Sequence, residues 1–157
     1  MTSAADLDLL SRWFSDLKFV HHWGGKAIPR EKLERDYIGA NERTPDDGAR
    51  EWVHSFIIES GATPVGYIQA WRTPPEAGGI DIVIAPEFQG QGLGPDAILA
   101  LTSYLHEERD WETVTVDPAA GNLRARRTFE KCGFIVERDW PDHPDGPSVL
   151  MVHRTTR

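Results

Sequence analysis

The chain has 157 residues, of which 39% are hydrophobic, and its 25 acidic against 17 basic side chains give a net charge of −8. That length predicts one domain over residues 1–157 with a sizeable core, and the acidic balance argues against a nucleic-acid partner, whose phosphates require a basic surface. No run of about 18 apolar residues offers a membrane span, Met1 to Asp6 lack the basic-then-apolar pattern of a signal peptide, and the single Cys132 excludes an internal disulfide and suits a reducing cytoplasm.

In chain order, Asp6 to Phe14 places Leu7, Leu9, Leu10, Trp13 and Phe14 close to a helical stripe. Pro29 to Ile38 predicts a second short helix, with Leu33 and Tyr37 four apart. Residues 41–50, NERTPDDGAR, carry turn signals and no periodicity, so they predict a loop. Trp52 to Glu59 and Pro64 to Trp71 read as strands joined by Ser60-Gly61-Ala62-Thr63. Arg72 to Gly79, RTPPEAGG, reads as a loop on the substrate side. A strand from Ile80 to Ala85 and a helix from Asp96 to Leu105 follow, then a strand from Glu112 to Val116 and a helix ending at Lys131. Gly133 suits a helix end. Phe134 to Asp139 and Ser148 to Arg154 predict the closing strands.

Between the strand at 80–85 and the helix at 96–105 lies Gln89-Gly90-Gln91-Gly92-Leu93-Gly94. A strand, a glycine turn and a helix start together present several main-chain N–H groups to an anion, and the helix N-terminus adds partial positive charge. Pro95 suits the first helical turn, where its missing N–H costs nothing. The turn has no lysine in the position needed for a nucleoside triphosphate. Its glycines alternate, so it is not the G-x-G-x-x-G of dinucleotide sites. A pyrophosphate of another kind is predicted here.

Read as Gln89-x-x-Gly92-x-Gly94, the turn resembles the [RQ]-x-x-G-x-[GA] loop of the GNAT acyltransferase superfamily, which binds the pyrophosphate of acetyl-CoA. Asp117-Pro118-Ala119-Ala120-Gly121-Asn122-Leu123-Arg124-Ala125, Phe129-Glu130-Lys131-Cys132-Gly133-Phe134 and Asp145-Gly146-Pro147 are similar to the second half of that core. His22-Trp23-Gly24-Gly25 and Pro64 to Gln69 resemble one branch, the type I aminoglycoside 6′-N-acetyltransferases with their siderophore-biosynthesis relatives. The resemblance covers roughly residues 6–154 and implies a single-domain α/β fold. Its mixed, mostly antiparallel sheet is splayed at a central parallel strand pair and flanked by helices. Family members open with a strand before the first helix, and here it is missing. Either that strand is dispensable or the true start lies upstream. A homodimer is one way to cover the edge so exposed.

The resemblance implies acetyl-CoA as cosubstrate, its pyrophosphate on Gln89, Gly90, Gln91, Gly92, Leu93, Gly94 and Pro95. The pantetheine arm pairs with the backbone of Ile82, Val83 and Ile84, and the N–H of Val83 or Ile84 polarises the thioester carbonyl. Asn122 meets the arm or an ordered water. Phe129 lines the cofactor side, where many relatives carry a tyrosine whose phenol protonates the leaving thiolate. Phenylalanine has no such proton.

Asp81 is the candidate for proton removal. It is a lone charge in an apolar strand, on the face of Val83 and opposite Ile80 and Ile82. The matching family aspartate contacts the amine that is acetylated. Asp117, at the next strand end, matches an aspartate that binds a sugar ammonium or hydroxyl. An Asp-Pro turn is its plain structural reading. Trp23, Trp71 and Gln69 are candidates for the substrate walls, although tryptophans are more often core. Cys132 reads as a small core residue rather than a nucleophile. His21 and His22 read as surface groups near the entrance, and Arg124, Arg126 and Arg127 as a solvated helix face. No Cys/His spacing reads as a metal site.

The predicted function is acetyl transfer from acetyl-CoA to a primary amine of a cationic small molecule. An aminoglycoside is the leading substrate, attracted by the acidic field. N-acylation of a siderophore precursor or a protein amine is the alternative enzyme reading. A non-catalytic binder of acyl-CoA or drug is the reading outside catalysis.

Overall fold

The computed structural model describes residues 1–43, 51–73 and 77–155. Helix α1 spans Leu7–Ser15 and α2 spans Arg30–Asp36. Strands β1 (Ala40–Arg43), β2 (Glu51–Ser60), β3 (Thr63–Thr73) and β4 (Ala77–Ile84) follow. Helix α3 (Leu93–Glu107), β5 (Thr113–Val116), α4 (Leu123–Lys131), β6 (Ile135–Trp140) and β7 (Ser148–Arg154) complete the chain. The strands form one seven-stranded sheet in the order β1-β2-β3-β4-β5-β7-β6. β4 and β5 are parallel, and the other neighbours are antiparallel. This is the expected mixed sheet with its parallel pair at the centre.

Period-two alternation in β2, β3 and β4 divides the core in two. Ile68, Ala70 and Ile80 face α3 and α4, where Ile98, Leu101, Leu105, Phe129 and Phe134 are buried. Tyr67 faces the opposite side, against Leu10, Phe14, Phe19 and Leu33 of the α1–α2 layer. Phe14 is the hub there, edge-on to Phe19, Trp23, Tyr37 and Tyr67 at 5.1–5.7 Å. Each such side chain contributes about 1.5–3 kcal/mol by burial.

Three local expectations are corrected. Residues 40–43 form the edge strand β1, although the turn signals of residues 41–50 predict a loop. Register hides it, because a short polar strand has no apolar face to reveal its period. Residues 44–50 lie outside the described residues. The expected 72–79 loop is mostly strand, since Arg72 pairs with Gly78 and Thr73 with Ala77. Helix α3 starts at Leu93, so Gly94 and Pro95 sit inside its first turn.

The chain opens on a turn over Ala4–Asp6 and α1, with no strand ahead of them. The outer edge of β2 is covered by β1 at residues 51–54 and by Thr2 and Gly39, which bond Ser55 through main-chain atoms. Among the described residues no strand pairs with the outer side of residues 56–60. No described helix is long and apolar enough to cross a membrane.

Candidate active site

β4 and β5 pair at Gly79 and Thr115 and then diverge. The apex is tight because it is built from glycine. A Cβ on Gly79 would lie 2.7 Å from the Thr115 carbonyl oxygen and 2.7 Å from the Trp71 ring. A Cβ on Gly78 would strike Trp111 at 2.7 Å, and the Thr115 hydroxyl donates to the Gly78 carbonyl at 2.8 Å.

Hydrogen-bond alternation decides which β4 groups line the gap. The Ala85 N–H donates to the Val65 carbonyl. In an antiparallel ladder bonded pairs recur every second residue. Val83 therefore exchanges its bonds with Tyr67, while the main-chain groups of Ile82 and Ile84 point toward β5. This corrects the expectation for Val83, whose N–H is committed to β3. The Ile84 carbonyl accepts from Gln89 Nε2 at 3.0 Å, which ties the glycine turn to the open end of the gap.

In that turn Gly90 and Gly92 have φ of +78° and +82°, the left-handed region that glycine enters without penalty. Gly92 is the N-cap of α3. Among the described residues nothing accepts the main-chain N–H groups of Gly90 through Gly94. They form a concave donor set at a helix start, suited to a pyrophosphate.

Asp81 lies two residues past the apex and is partly open to the cleft. Gln69 Nε2 donates to its Oδ2 at 2.9 Å, and the Trp71 side chain bonds it as well. The Tyr67 hydroxyl donates to Gln69 Oε1 at 3.0 Å and lies 2.7 Å from Ser55 Oγ, which orients the amide with its nitrogen toward Asp81. Desolvation pushes the Asp81 carboxyl up to about 6. The Gln69 bond opposes that rise, the nearby Asp117 adds to it, and the Trp71 bond opposes it. A carboxylate with this value is mostly ionised at neutral pH and basic enough to take a proton. Burial raises the phenols of Tyr37 and Tyr67, so both remain hydrogen-bond donors.

The profile of the acetyltransferase (GNAT) domain matches residues 1–135. The chain belongs to the GNAT acetyltransferase family. It is 33% identical to the aminoglycoside N(6′)-acetyltransferase type 1 of Klebsiella pneumoniae, over 94% of this chain and 77% of that protein. It is 42% identical to a kanamycin resistance protein of Rhizobium radiobacter, over 52% of this chain and 75% of that protein. Its fold matches the crystal structure of aminoglycoside acetyltransferase AAC(6′)-Ib in complex with coenzyme A and kanamycin. There the TM-score is 0.76 and the identity 25%, covering 98% of this chain and 92% of that one.

The remaining predicted positions of this GNAT domain divide clearly. Asp117 directly follows β5 and lies near enough to Asp81 to raise its carboxyl pKa, and its Oδ2 lies 2.8 Å from His143 Nε2. Trp23 is half-buried and donates to the Tyr37 hydroxyl at 3.1 Å, on the α1–α2 side of the sheet. Asn122 caps α4, its Oδ1 accepting the Ala125 N–H at 3.1 Å. Phe129 is buried, its ring 5.4 Å from Phe134. Cys132 is also buried, as its core reading expects, and burial raises its thiol. Arg124 departs from a purely solvated face: it donates to Gln89 Oε1 at 3.3 Å and, with burial and His21, lowers the pKa of His22. No group of metal-ligating side chains occurs among the described residues.

Sequence reading missed Tyr67, Ser55 and His143. Tyr67 stands two residues before Gln69, so strand alternation puts the two on one face of β3, but their meeting with Asp81 needs the β3–β4 register. Ser55 pairs with Gln69 across β2 and β3, which needs the register. His143 stands two residues before the Asp145-Gly146-Pro147 segment, but nothing local links it to Asp117.

Proposed function

We propose that this protein transfers the acetyl group of acetyl-CoA to a primary amine of an aminoglycoside, by direct attack in a ternary complex in the cytoplasm. The observation that carries this reading is the Asp81 carboxylate, held by Gln69 and Trp71 just past the strand apex. Kinship with aminoglycoside acetyltransferases supports the substrate class.

The pyrophosphate sits on the N–H groups of Gly90 to Gly94, and the pantetheine arm runs along Ile84 and Ile82 toward the apex. The amine enters from the α1–α2 side as an ammonium between Trp23, Trp71, Asp81 and Asp117. It gives one proton to Asp81, directly or through one water. Its lone pair attacks the thioester carbonyl carbon. The N–H of Ile82, the gap-facing amide next to Asp81, donates to the carbonyl oxygen as negative charge develops there. The tetrahedral adduct collapses, the C–S bond breaks, and CoA leaves as a thiolate. The second nitrogen proton reaches that thiolate through water, because Phe129 carries no phenol. The missing acid costs about 10²-fold, since a thiolate is a fair leaving group.

The test is thiol release from acetyl-CoA against kanamycin, tobramycin, kasugamycin, spermidine, N-hydroxylysine and a short peptide. Saturable release with an aminoglycoside supports the reading. Release with N-hydroxylysine or the peptide alone moves the substrate to a siderophore precursor or a protein amine. Phe129 favours one second reading, a binder of acyl-CoA that lacks turnover. Tight acetyl-CoA binding without release from any amine would select it. A homodimer across the outer edge of β2 at residues 56–60 belongs to the same proposal, and sedimentation equilibrium tests it.

A further inference from the structure

His143 takes no part in the chemistry above, yet it is built into the cleft with care. Its side chain is only 11% exposed, against 30% for Asp117. Nε2 lies 2.8 Å from Asp117 Oδ2, while Nδ1 accepts the main-chain N–H of Asp145 at 3.1 Å. With Nδ1 accepting, the ring proton is on Nε2, and only a proton between them makes a nitrogen–oxygen approach of that length favourable.

The ring is held from behind. Trp140 meets it edge-on at 4.6 Å, and the Arg138 guanidinium lies 4.4 Å over the Trp140 ring. The turn closes through the His143 N–H on the Trp140 carbonyl and the Gly146 N–H on the His143 carbonyl, with Gly146 at φ +105°. The same turn is tied to the segment after Asp117: Ala120 N–H bonds the Pro147 carbonyl and Val149 N–H bonds the Pro118 carbonyl. His143 and Asp117 are thus carried by one rigid corner. Among the described residues Asp117 Oδ1 has no partner.

We propose that His143 is a specificity-determining positioning residue. By occupying Oδ2 it fixes the plane of the Asp117 carboxylate and presents Oδ1 to a second ammonium of the substrate. A carboxylate at a strand end otherwise turns freely about its last torsion, and a cation that binds it must order it first. Fixing it beforehand removes that cost and strengthens a charge-assisted bond only for amines that carry a second cation in reach. This inference rests on the amine-acetylation reading above and deepens it.

The test compares wild type, His143→Leu and His143→Gln on kanamycin and on 6-amino-6-deoxyglucose, which offers a primary amine without a second cation. His143→Leu should raise the KM for kanamycin about 10-fold with kcat within about 3-fold. The KM for the monoamine and for acetyl-CoA should not change. His143→Gln should regain most of the loss, because its amide can face Asp117 with the nitrogen and Asp145 with the oxygen. Equal KM changes for both amines, or an unchanged KM for kanamycin, would overturn the proposal while leaving the enzyme reading intact. A wild type that acetylates neither amine would overturn the enzyme reading and this inference with it. If the leucine variant does not fold, His143→Ala takes its place: a KM raised for kanamycin alone supports the role, and KM values that rise together or stay unchanged refute it.

Discussion

Gly79 of β4 stands opposite Thr115 of β5 with no room for a methyl group between them, and this pair is where the two central strands part. A side chain there would push on a main-chain carbonyl, which cannot step aside without moving β5.

Gly79→Ala should therefore destabilise the fold by about 2 kcal/mol or more, an overpacking cost. The same change displaces Trp71 from its place beside Asp81, so turnover should fall further than stability does. Denaturant unfolding and steady-state kinetics on the same preparation check both, and a variant with native stability and turnover would refute the account of the apex.

Asp81→Asn should lower kcat by at least about 10²-fold, the usual contribution of a positioned base, and leave acetyl-CoA affinity near wild type. Calorimetric titration with acetyl-CoA beside a turnover assay separates the two. Wild-type-like kcat would remove Asp81 from the chemistry.

Activity should have an acid limb near pH 6, as kcat/KM for the amine rises with ionisation of Asp81. Stability should run the other way. The folded-state pKa of Asp81 is raised from 3.8 to about 6. Its contribution to stability is therefore fully present below the unfolded value and is lost as pH rises through about 6. Asp81→Asn removes that loss and should stabilise the protein at pH 8 by about 2 kcal/mol, with the gain shrinking toward pH 4. Melting curves of both proteins across this range give the sign directly.

Gln69→Leu removes the bond that opposes the rise in the Asp81 pKa. It also strips the Tyr67 hydroxyl of an acceptor. The acid limb should move up by roughly one unit. An unshifted limb in an active variant would disconnect Gln69 from Asp81.

Gly92→Ala places a side chain at φ +82° and should cost about 1 kcal/mol in stability. Nothing lies within 4 Å of the added carbon, so the harm in binding should fall on acetyl-CoA, with a raised KM for it and an unchanged KM for the amine. Thermal melting with two-substrate kinetics tests the split.

Much of this site was legible in the residues because its signals are local. A glycine turn between a strand and a helix reads from sequence, as does a lone carboxylate in an apolar strand. Strand alternation puts Asp81 and Val83 on one face, and there Asp81 bonds Gln69, whose amide meets Tyr67, while Val83 packs in the same layer as Tyr67. What could not be read depends on register or on distant partners. Whether Val83 or its neighbours face the gap is set by which β3–β4 pairs carry hydrogen bonds. The Tyr67–Gln69–Asp81 chain and the contact between Asp117 and His143 join residues brought together only by the sheet. β1 escaped because a short polar edge strand has no buried face to leave a pattern.

Cys132 is the chain's single cysteine, it is buried in the core with α3 and α4, and burial raises its thiol pKa. Disulfides and alkylating agents react with the thiolate, so a buried thiol held in its protonated form is inert toward them. A thiol-capture reagent that follows released coenzyme A should therefore count product and leave the folded protein untouched. Labelling of Cys132 then reports unfolding, and the same reagent reads turnover on the native protein and loss of the core on the denatured one.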